Sequence, residues 1–147
     1  MASLQTLATR MADQIRNVLE NADMTVQVEP RMVIVPTPLT VDIYPADVAR
    51  DSQSAAFNDV NGGYLFTVRS RINTPDFDAA YDVLMQTMDD QDDLCIPLAL
   101  LDDPTLNGNA QTLDVLDPTG LRAYERVDGT GADLGWQFTC NVIAARS

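Results

Sequence analysis

The sequence predicts an α+β fold, with a largely antiparallel sheet, an N-terminal helix and central helices packed on one face. Apolar residues in the first twenty positions recur at spacings of three and four, which is the period of a helix. Later segments alternate apolar and polar residues as strands do, and a second helical pattern divides them into two groups. Because 46% of the 147 residues are hydrophobic, the chain can bury a core, and we expect one domain over residues 1–147.

The N-terminal helix is predicted over the first twenty residues. Its apolar stripe consists of Leu4, Leu7, Ala8, Met11, Ile15, Val18 and Leu19. Arg10, Asp13 and Arg16 interrupt this segment, which a secretory signal would not tolerate. No apolar run approaches the roughly 18 residues that a membrane span requires. We therefore expect a protein that is assembled in a cytoplasm and has no membrane partner.

Strands are predicted next. The segments "TVQVEP" and "VIVPTPLTVDIYP" are rich in β-branched residues, and their prolines limit them to short strands, at least one near a sheet edge. Residues 46–63 have no clean period, which predicts a long loop. The segment "YLFTVRSRI" from Tyr64 to Ile72 then alternates and predicts a strand whose outer, charged face carries Arg69 and Arg71.

Two central helices follow. "NTPDFDAAYDVLMQTM" contains a helix start signal, with Thr74 as the N-cap and Pro75 at the first helical position. The buried stripe of this helix is predicted to be Phe77, Ala80, Tyr81, Leu84 and Met88. After an acidic linker, a short helix is predicted from about Leu94, with Pro97 in its first turn.

The C-terminal part predicts a hairpin. "TLDVLD" and "LRAYERV" form one strand broken at Asp117 and Pro118, and "DGTGAD" turns the chain into the strand "LGWQFTCNVIA". One face of that last strand consists of Trp136, Phe138, Cys140, Val142 and Ala144. Such a face favours a core position for Trp136, and the alternative is that Trp136 anchors a neighbouring subunit.

The charge restricts the possible functions. The chain has 19 Asp and 3 Glu against 9 Arg, with no Lys and no His, and a formal charge of −13. Binding to nucleic acid phosphates would have to overcome net repulsion. The absence of His excludes Ser-His-Asp and Cys-His arrangements and any His metal ligand. Cys95 and Cys140 form no CxxC motif, so we expect buried free thiols and no disulfide or zinc site.

Three groups of residues are candidates for chemistry. Acids at 89–93 and 102–103 could hold Mg²⁺ or Ca²⁺, but they lack calcium-loop spacing and are interpreted as solvated surface. The glycines of "NGG" and "DGTGAD" are interpreted as turns because neither follows a strand and opens a helix. Arg69, Arg71, Arg122 and Arg126 point to one face, which is either plain solvated sheet or a surface for acids of another molecule.

The layout of the chain resembles the tail terminator, or tail completion, proteins of long-tailed siphophages, especially those of actinobacterial hosts. The similar segments are "LATRMADQIRNVL", "PTPLTVDIYP", "YLFTVRSRI", "PDFDAAYDVLMQTM" and "GWQFTCNVIAA". The most specific piece is "DPTLNGNAQTLDV", since Asp-Pro-Thr-Leu-Asn-Gly before a strand is similar to the family's D-x-T-L-x-G turn. The acidic linker and Pro97 depart from the pattern.

The resemblance implies a structural virion protein with no catalytic, cofactor-binding or metal-binding residues. The subunit would form a hexameric ring on the end of the tail tube, end tube polymerisation and join the tail to the head connector. Its partners would be other copies of itself, the tail tube protein and the connector or stopper protein. Alternatives are a head-tail connector (stopper or adaptor), a small acidic DNA-mimic inhibitor and a metal-dependent enzyme that uses the aspartates.

We expect DNA to pass through the ring without specific binding, because a surplus of carboxylates keeps phosphates off the wall. Alternatively, the acidic corner faces a basic patch on a neighbour. Loop 46–63 is long for a compact domain, and we expect it to make subunit or tube contacts. The interface candidates are Asp47, Arg50, Asp51, Phe57, Asp59, Arg69, Arg71, Arg122 and Arg126.

Overall fold

A computed structural model describes residues 3–21, 26–34, 39–46, 63–73, 76–126, 129 and 131–145. The helices are α1 (Leu4–Asn21), α2 (Phe77–Met88) and α3 (Ile96–Leu101). The strands are β1 (Gln27–Glu29), β2 (Thr40–Pro45), β3 (Gly63–Ile72), β4 (Ala110–Leu116), β5 (Arg122–Glu125) and β6 (Ala132–Ala144).

The strands form one six-stranded sheet in the order β1-β2-β3-β6-β4, with β5 also paired to β6. Only the pair β1 and β2 is parallel, so the predicted α+β fold with a largely antiparallel sheet is confirmed. The short strand β1 lies at the edge, as its proline-rich surroundings predict. The sequence predicts strand structure in "VIVPTPLTVDIYP", but Val33 and Ile34 lie outside any strand and β2 begins only at Thr40.

Strands β4 and β5 pair with successive parts of β6 and together form one interrupted edge strand. The interruption lies at the predicted position, where Asp117 has a φ of 48°. Across the gap, the backbone N–H of Thr119 donates to the carbonyl oxygen of Gln137, and the N–H of Gln137 donates to the Thr119 hydroxyl. Pairing with β6 therefore continues through the break.

The core lies between the helices and one face of the sheet. Five residues of the predicted α1 stripe are buried: Leu7, Ala8, Met11, Ile15 and Leu19. Leu4 and Val18 of that stripe are only partly buried, and Ala12, which the prediction did not include, is buried as well. On β6, the predicted face is also buried, and Trp136 is 2% exposed. This confirms the core position of Trp136. Cys95 and Cys140 are buried free cysteines, which confirms that prediction too.

Helix α2 differs from the prediction in its cap and in its buried face. The N-cap is Asp76, whose side chain accepts a hydrogen bond from the N–H of Ala79; Thr74 and Pro75 lie outside the described residues. The helix buries Ala80, Leu84 and Thr87. The prediction that Phe77 and Tyr81 are buried is wrong. Thr87 faces the sheet, where its hydroxyl accepts a hydrogen bond from the buried side chain of Trp136, and Phe77 and Tyr81 lie on the solvent side of the helix.

Helix α3 begins at Ile96, with Pro97 in its first turn as predicted. Its last carbonyl groups have no partner within the helix, and Gln14 of α1 supplies one. The Gln14 side-chain amide donates to the carbonyl oxygens of Ala99, Leu100 and Asp103 at 2.9, 2.8 and 3.1 Å. These hydrogen bonds fix α3 against α1.

Candidate functional site

The sheet face opposite the helices carries a network of arginines and aspartates. Asp42 of β2 lies directly across from Arg69 of β3, and Arg69 Nε donates to Asp42 Oδ1 at 3.1 Å. Arg71, two residues further along β3, donates from NH2 to Asp42 Oδ2 at 3.2 Å. One buried carboxylate therefore holds two guanidinium groups.

The segment after β1 covers this part of the sheet. The backbone N–H of Val33 donates to Asp42 Oδ2 at 3.1 Å, and Arg71 donates to the Val33 carbonyl oxygen. As a result, Asp42 is fully buried and Arg71 is only 4% exposed. The prediction of a solvated, charged outer face on β3 is wrong, because Asp42 forms ion pairs with both arginines and the segment after β1 folds over them.

Aromatic rings complete the surroundings of Arg69. Its guanidinium carbon lies 5.1 Å from the ring centre of Tyr44 and 5.6 Å from that of Tyr124, within the range of cation–π attraction. Burial lowers the pKa of Arg69, but the hydrogen bond to Asp42 and its charge outweigh this, so the pKa is raised overall. Burial is also the largest influence on Arg71, where it outweighs the attraction of Asp42 and lowers the pKa. Arginines remain protonated in proteins, so both groups stay charged.

A second ion pair extends the network to the β5–β6 hairpin. Arg126 Nε donates to Asp133 Oδ1 at 3.0 Å, and Arg126 also binds the side-chain oxygen of Asn73. Arg71 Nε and Asp133 Oδ2 are buried and have no hydrogen-bond partner among the residues that the structure describes. The charge of Asp133 partly opposes the burial that lowers the pKa of Arg71, so the second ion pair acts on the first.

Gly135 of β6 provides the space that Arg71 occupies. A β-carbon at this position would lie 2.4 Å from the carbonyl oxygen of Ser70, 2.9 Å from Arg71 Cγ and 3.0 Å from Tyr124 Cε2. Any side chain here would therefore displace Arg71 and the ring above it. Of the four predicted arginines, only Arg122 is exposed, with its guanidinium carbon 5.8 Å from the ring centre of Tyr124.

The acidic residues at 89–93 and 102–103 form turns. Asp89 accepts a hydrogen bond from the N–H of Gln91, and Asp92 accepts one from Leu94. Asp103 accepts from the Thr105 hydroxyl and from the N–H groups of Thr105 and Asn107. The bond from the Thr105 hydroxyl contributes most to a lowered pKa of Asp103. Within the part of the chain that the structure describes, no group of three or more Cys, Asp or Glu is placed to hold a metal ion.

The D-x-T-L-x-G segment, residues 103–108, lies between α3 and β4. Leu106 has a positive φ of 49° and is buried, so its side chain enters the core while Asp103 binds the surrounding backbone. The N–H of Ala110 donates to the Thr105 carbonyl oxygen at 2.8 Å, which leads the chain directly into β4. The motif is therefore a structural turn that joins α3 to the sheet.

The helical side of the molecule exposes large apolar side chains. Phe77, Tyr81 and Met85 of α2 are 59%, 50% and 44% exposed. They are spaced four residues apart and form a line along the helix, which we name the α2 stripe. Leu98 and Leu101 of α3 are also exposed.

A groove of about 280 Å³ lies beside α3. Val18, Leu98 and Ala99 contribute apolar surface to it, and four aspartates line it: Asp90, Asp92, Asp93 and Asp102. A second depression of about 440 Å³ separates α1 from the turn at Leu106 and Asn107. Its other lining residues are polar: Arg10, Asp13, Gln14 and Asn17.

The structure brings together only some of the predicted site residues. Arg69, Arg71 and Arg126 belong to one network, whereas Asp47, Arg50, Asp51, Phe57 and Asp59 lie outside the described residues. Sequence reasoning missed the partners Asp42 and Asp133. The signal was an aspartate within a β-branched strand, since such a residue is depleted there unless it is paired.

No protein-family model matches the chain, and no curated protein matches it. Among the described residues, no helix has the length and apolar character that would let it cross a membrane.

Proposed function

We propose that this protein is a structural subunit of a siphophage tail. In this proposal it acts as a tail terminator, which forms a hexameric ring on the end of the tail tube, stops tube polymerisation and meets the head connector. The resemblance of the sequence layout to that family supports the class of protein. The α2 stripe is the observation that carries an assembly role.

An assembly role follows from the cost of exposing apolar surface. Burying a large apolar side chain stabilises a protein by about 1.5–3 kcal/mol, and three such side chains remain in solvent along one helix. Isolated exposed hydrophobic residues are ordinary, whereas a contiguous line of them marks a binding surface. A second protein surface would cover this line in an assembled tail.

Electron microscopy of tail tubes provides the test. Tubes polymerised from the cognate tail tube protein are mixed with this protein and imaged by negative stain. We expect annular density at one tube end and tubes that stop lengthening. The double variant Phe77→Ser/Tyr81→Ser should fold but fail to cap, while Gln5→Ser/Gln111→Ser, which changes exposed polar residues on α1 and β4, should cap normally.

The alternatives give different results. A protein that binds the head connector but leaves tube length unchanged is a connector. A monomer or dimer that competes with DNA for a basic protein, and never binds tubes, is an inhibitor. Activity that a chelator abolishes would indicate an enzyme. Any of these three results, without capping, rejects the terminator proposal.

A further inference from the structure

The α2 stripe is bordered by acids on its solvent side. Asp78 and Asp82 each follow an aromatic residue of the stripe by one position, so they lie about 100° further round the helix. Both are exposed, and α2 contains no basic residue. We name Asp78 and Asp82 the acidic ridge. Around the helix, the α2 stripe lies between the buried face and this acidic ridge.

We propose that the α2 stripe binds a basic amphipathic helix of a different protein. The inference rests on the assembly role and names the chemistry of the partner. The partner's apolar face would cover Phe77, Tyr81 and Met85. Its flanking lysines or arginines would lie opposite Asp78 and Asp82.

The dimensions of the stripe fit a helical partner. Phe77 and Met85 are eight residues apart, which corresponds to about 12 Å along the helix axis. This length matches about two turns of a partner helix, with apolar anchors at positions i, i+3 or i+4, and i+7. Asp78 and Asp82 are four residues apart, about 6 Å along the axis, so one basic flank of such a helix meets them over about one turn.

Charge argues against a second copy of this chain at the stripe. Two copies would bring together surfaces of a chain whose formal charge is −13, with acidic ridges on both sides. Among the described residues, the exposed arginines are Arg10, Arg31 and Arg122, which lie on three separate elements. These arginines do not form a basic apolar surface that could face the stripe, so a basic partner from another protein fits better.

A defined peptide tests the inference. The probe is a fluorescein-labelled 18-residue helix of leucine and lysine, with leucine on one face, and the control peptide has glutamate in place of lysine. Binding is measured by fluorescence anisotropy. We expect the lysine peptide to bind and the glutamate peptide not to bind. We also expect Phe77→Ser/Tyr81→Ser and Asp78→Asn/Asp82→Asn each to weaken binding at least tenfold.

Matched variants separate the stripe from general attraction to an acidic protein. Leu98→Ser/Leu101→Ser removes exposed apolar residues on α3, and Asp114→Asn/Asp117→Asn removes two charges near the β4 edge. Both should leave the affinity within about twofold. An equal loss of peptide affinity in the stripe variants and in these control variants would overturn the inference. Unchanged peptide affinity in the stripe variants would overturn it as well. Self-association that Phe77→Ser/Tyr81→Ser abolishes would assign the stripe to a second copy.

The peptide result and the capping result are independent. A protein that caps tubes but does not bind the lysine peptide through the stripe keeps the terminator proposal and rejects the basic helical partner. A protein that binds the peptide through the stripe but never caps tubes keeps the partner and rejects the terminator.

Discussion

The indole Nε1–H of Trp136 donates a hydrogen bond to the hydroxyl oxygen of Thr87 at 2.9 Å inside the core. Thr87 in turn donates to the carbonyl oxygen of Leu84 at 2.7 Å. The only tryptophan of the chain is thus linked to α2 through a buried threonine, on the helix face opposite to the solvent and to the α2 stripe.

Replacing Thr87 with valine should remove the acceptor and leave a buried indole N–H unpaired. We expect a loss of about 1–3 kcal/mol in the free energy of unfolding, measured by urea denaturation. In a Trp136→Phe background, Thr87→Val should cost at least about 1 kcal/mol less, because no indole N–H remains to be left unpaired. Equal costs in the two backgrounds would show that this hydrogen bond contributes nothing.

Replacing Asp42 with asparagine should leave two guanidinium groups without their counter-charge. We expect a loss of about 3–5 kcal/mol in the free energy of unfolding, since a buried ion pair is broken from one side. Asp114→Asn removes an exposed charge on β4 and should change stability by less than about 0.5 kcal/mol. Adding Arg71→Met to Asp42→Asn should recover part of the loss, and a further decrease would contradict this account.

Replacing Gly135 with alanine should force Arg71 and Tyr124 to move. The added β-carbon meets the backbone of Ser70 as well, which cannot yield as a side chain can. We expect a loss of at least about 1–3 kcal/mol, measured as the shift of the urea midpoint at constant slope. Gly120→Ala is the matched control, because a β-carbon there has no atom within 4 Å. The idea fails if the two variants are equally stable.

The buried thiols should make stability fall at alkaline pH. Burial raises the pKa of Cys140 to about 12 and also raises that of Cys95. Below the ordinary thiol pKa of 9.0, Cys140 is protonated in both states and contributes no pH dependence. Between about pH 9 and 12, only the unfolded thiol loses its proton, so unfolding becomes more favourable by up to about 1.4 kcal/mol per pH unit.

Urea denaturation at several alkaline pH values tests this effect. The Cys140→Ala variant should lose less stability than the wild-type protein between pH 9 and 11, whatever its stability at pH 7. In addition, native protein at pH 8 should react with a thiol reagent only after denaturation. Parallel pH profiles for variant and wild type, or rapid labelling of the native protein, would contradict the buried assignment.

The sequence was sufficient for the fold class and for most elements. The stripe of α1, the break at Asp117 and the buried face of β6 each depend on spacing along one segment, which the sequence shows directly. Pro97 likewise indicated the first turn of α3 because proline restricts its own backbone locally. The two cysteines were also correctly expected to be buried free thiols, because they form no CxxC motif and free cysteine is commonly buried.

Tertiary structure alone decided the orientation of α2 and the environment of the arginines. Phe77 and Tyr81 fit an apolar stripe in sequence, but the buried face of α2 contains Thr87 instead, hydrogen-bonded to Trp136 far away in the chain. Arg69 and Arg71 fit a solvated face, but strand pairing put Asp42 directly across from Arg69 and diagonally across from Arg71. Local periodicity records which residues share a face, whereas the burial of that face depends on partners distant in sequence.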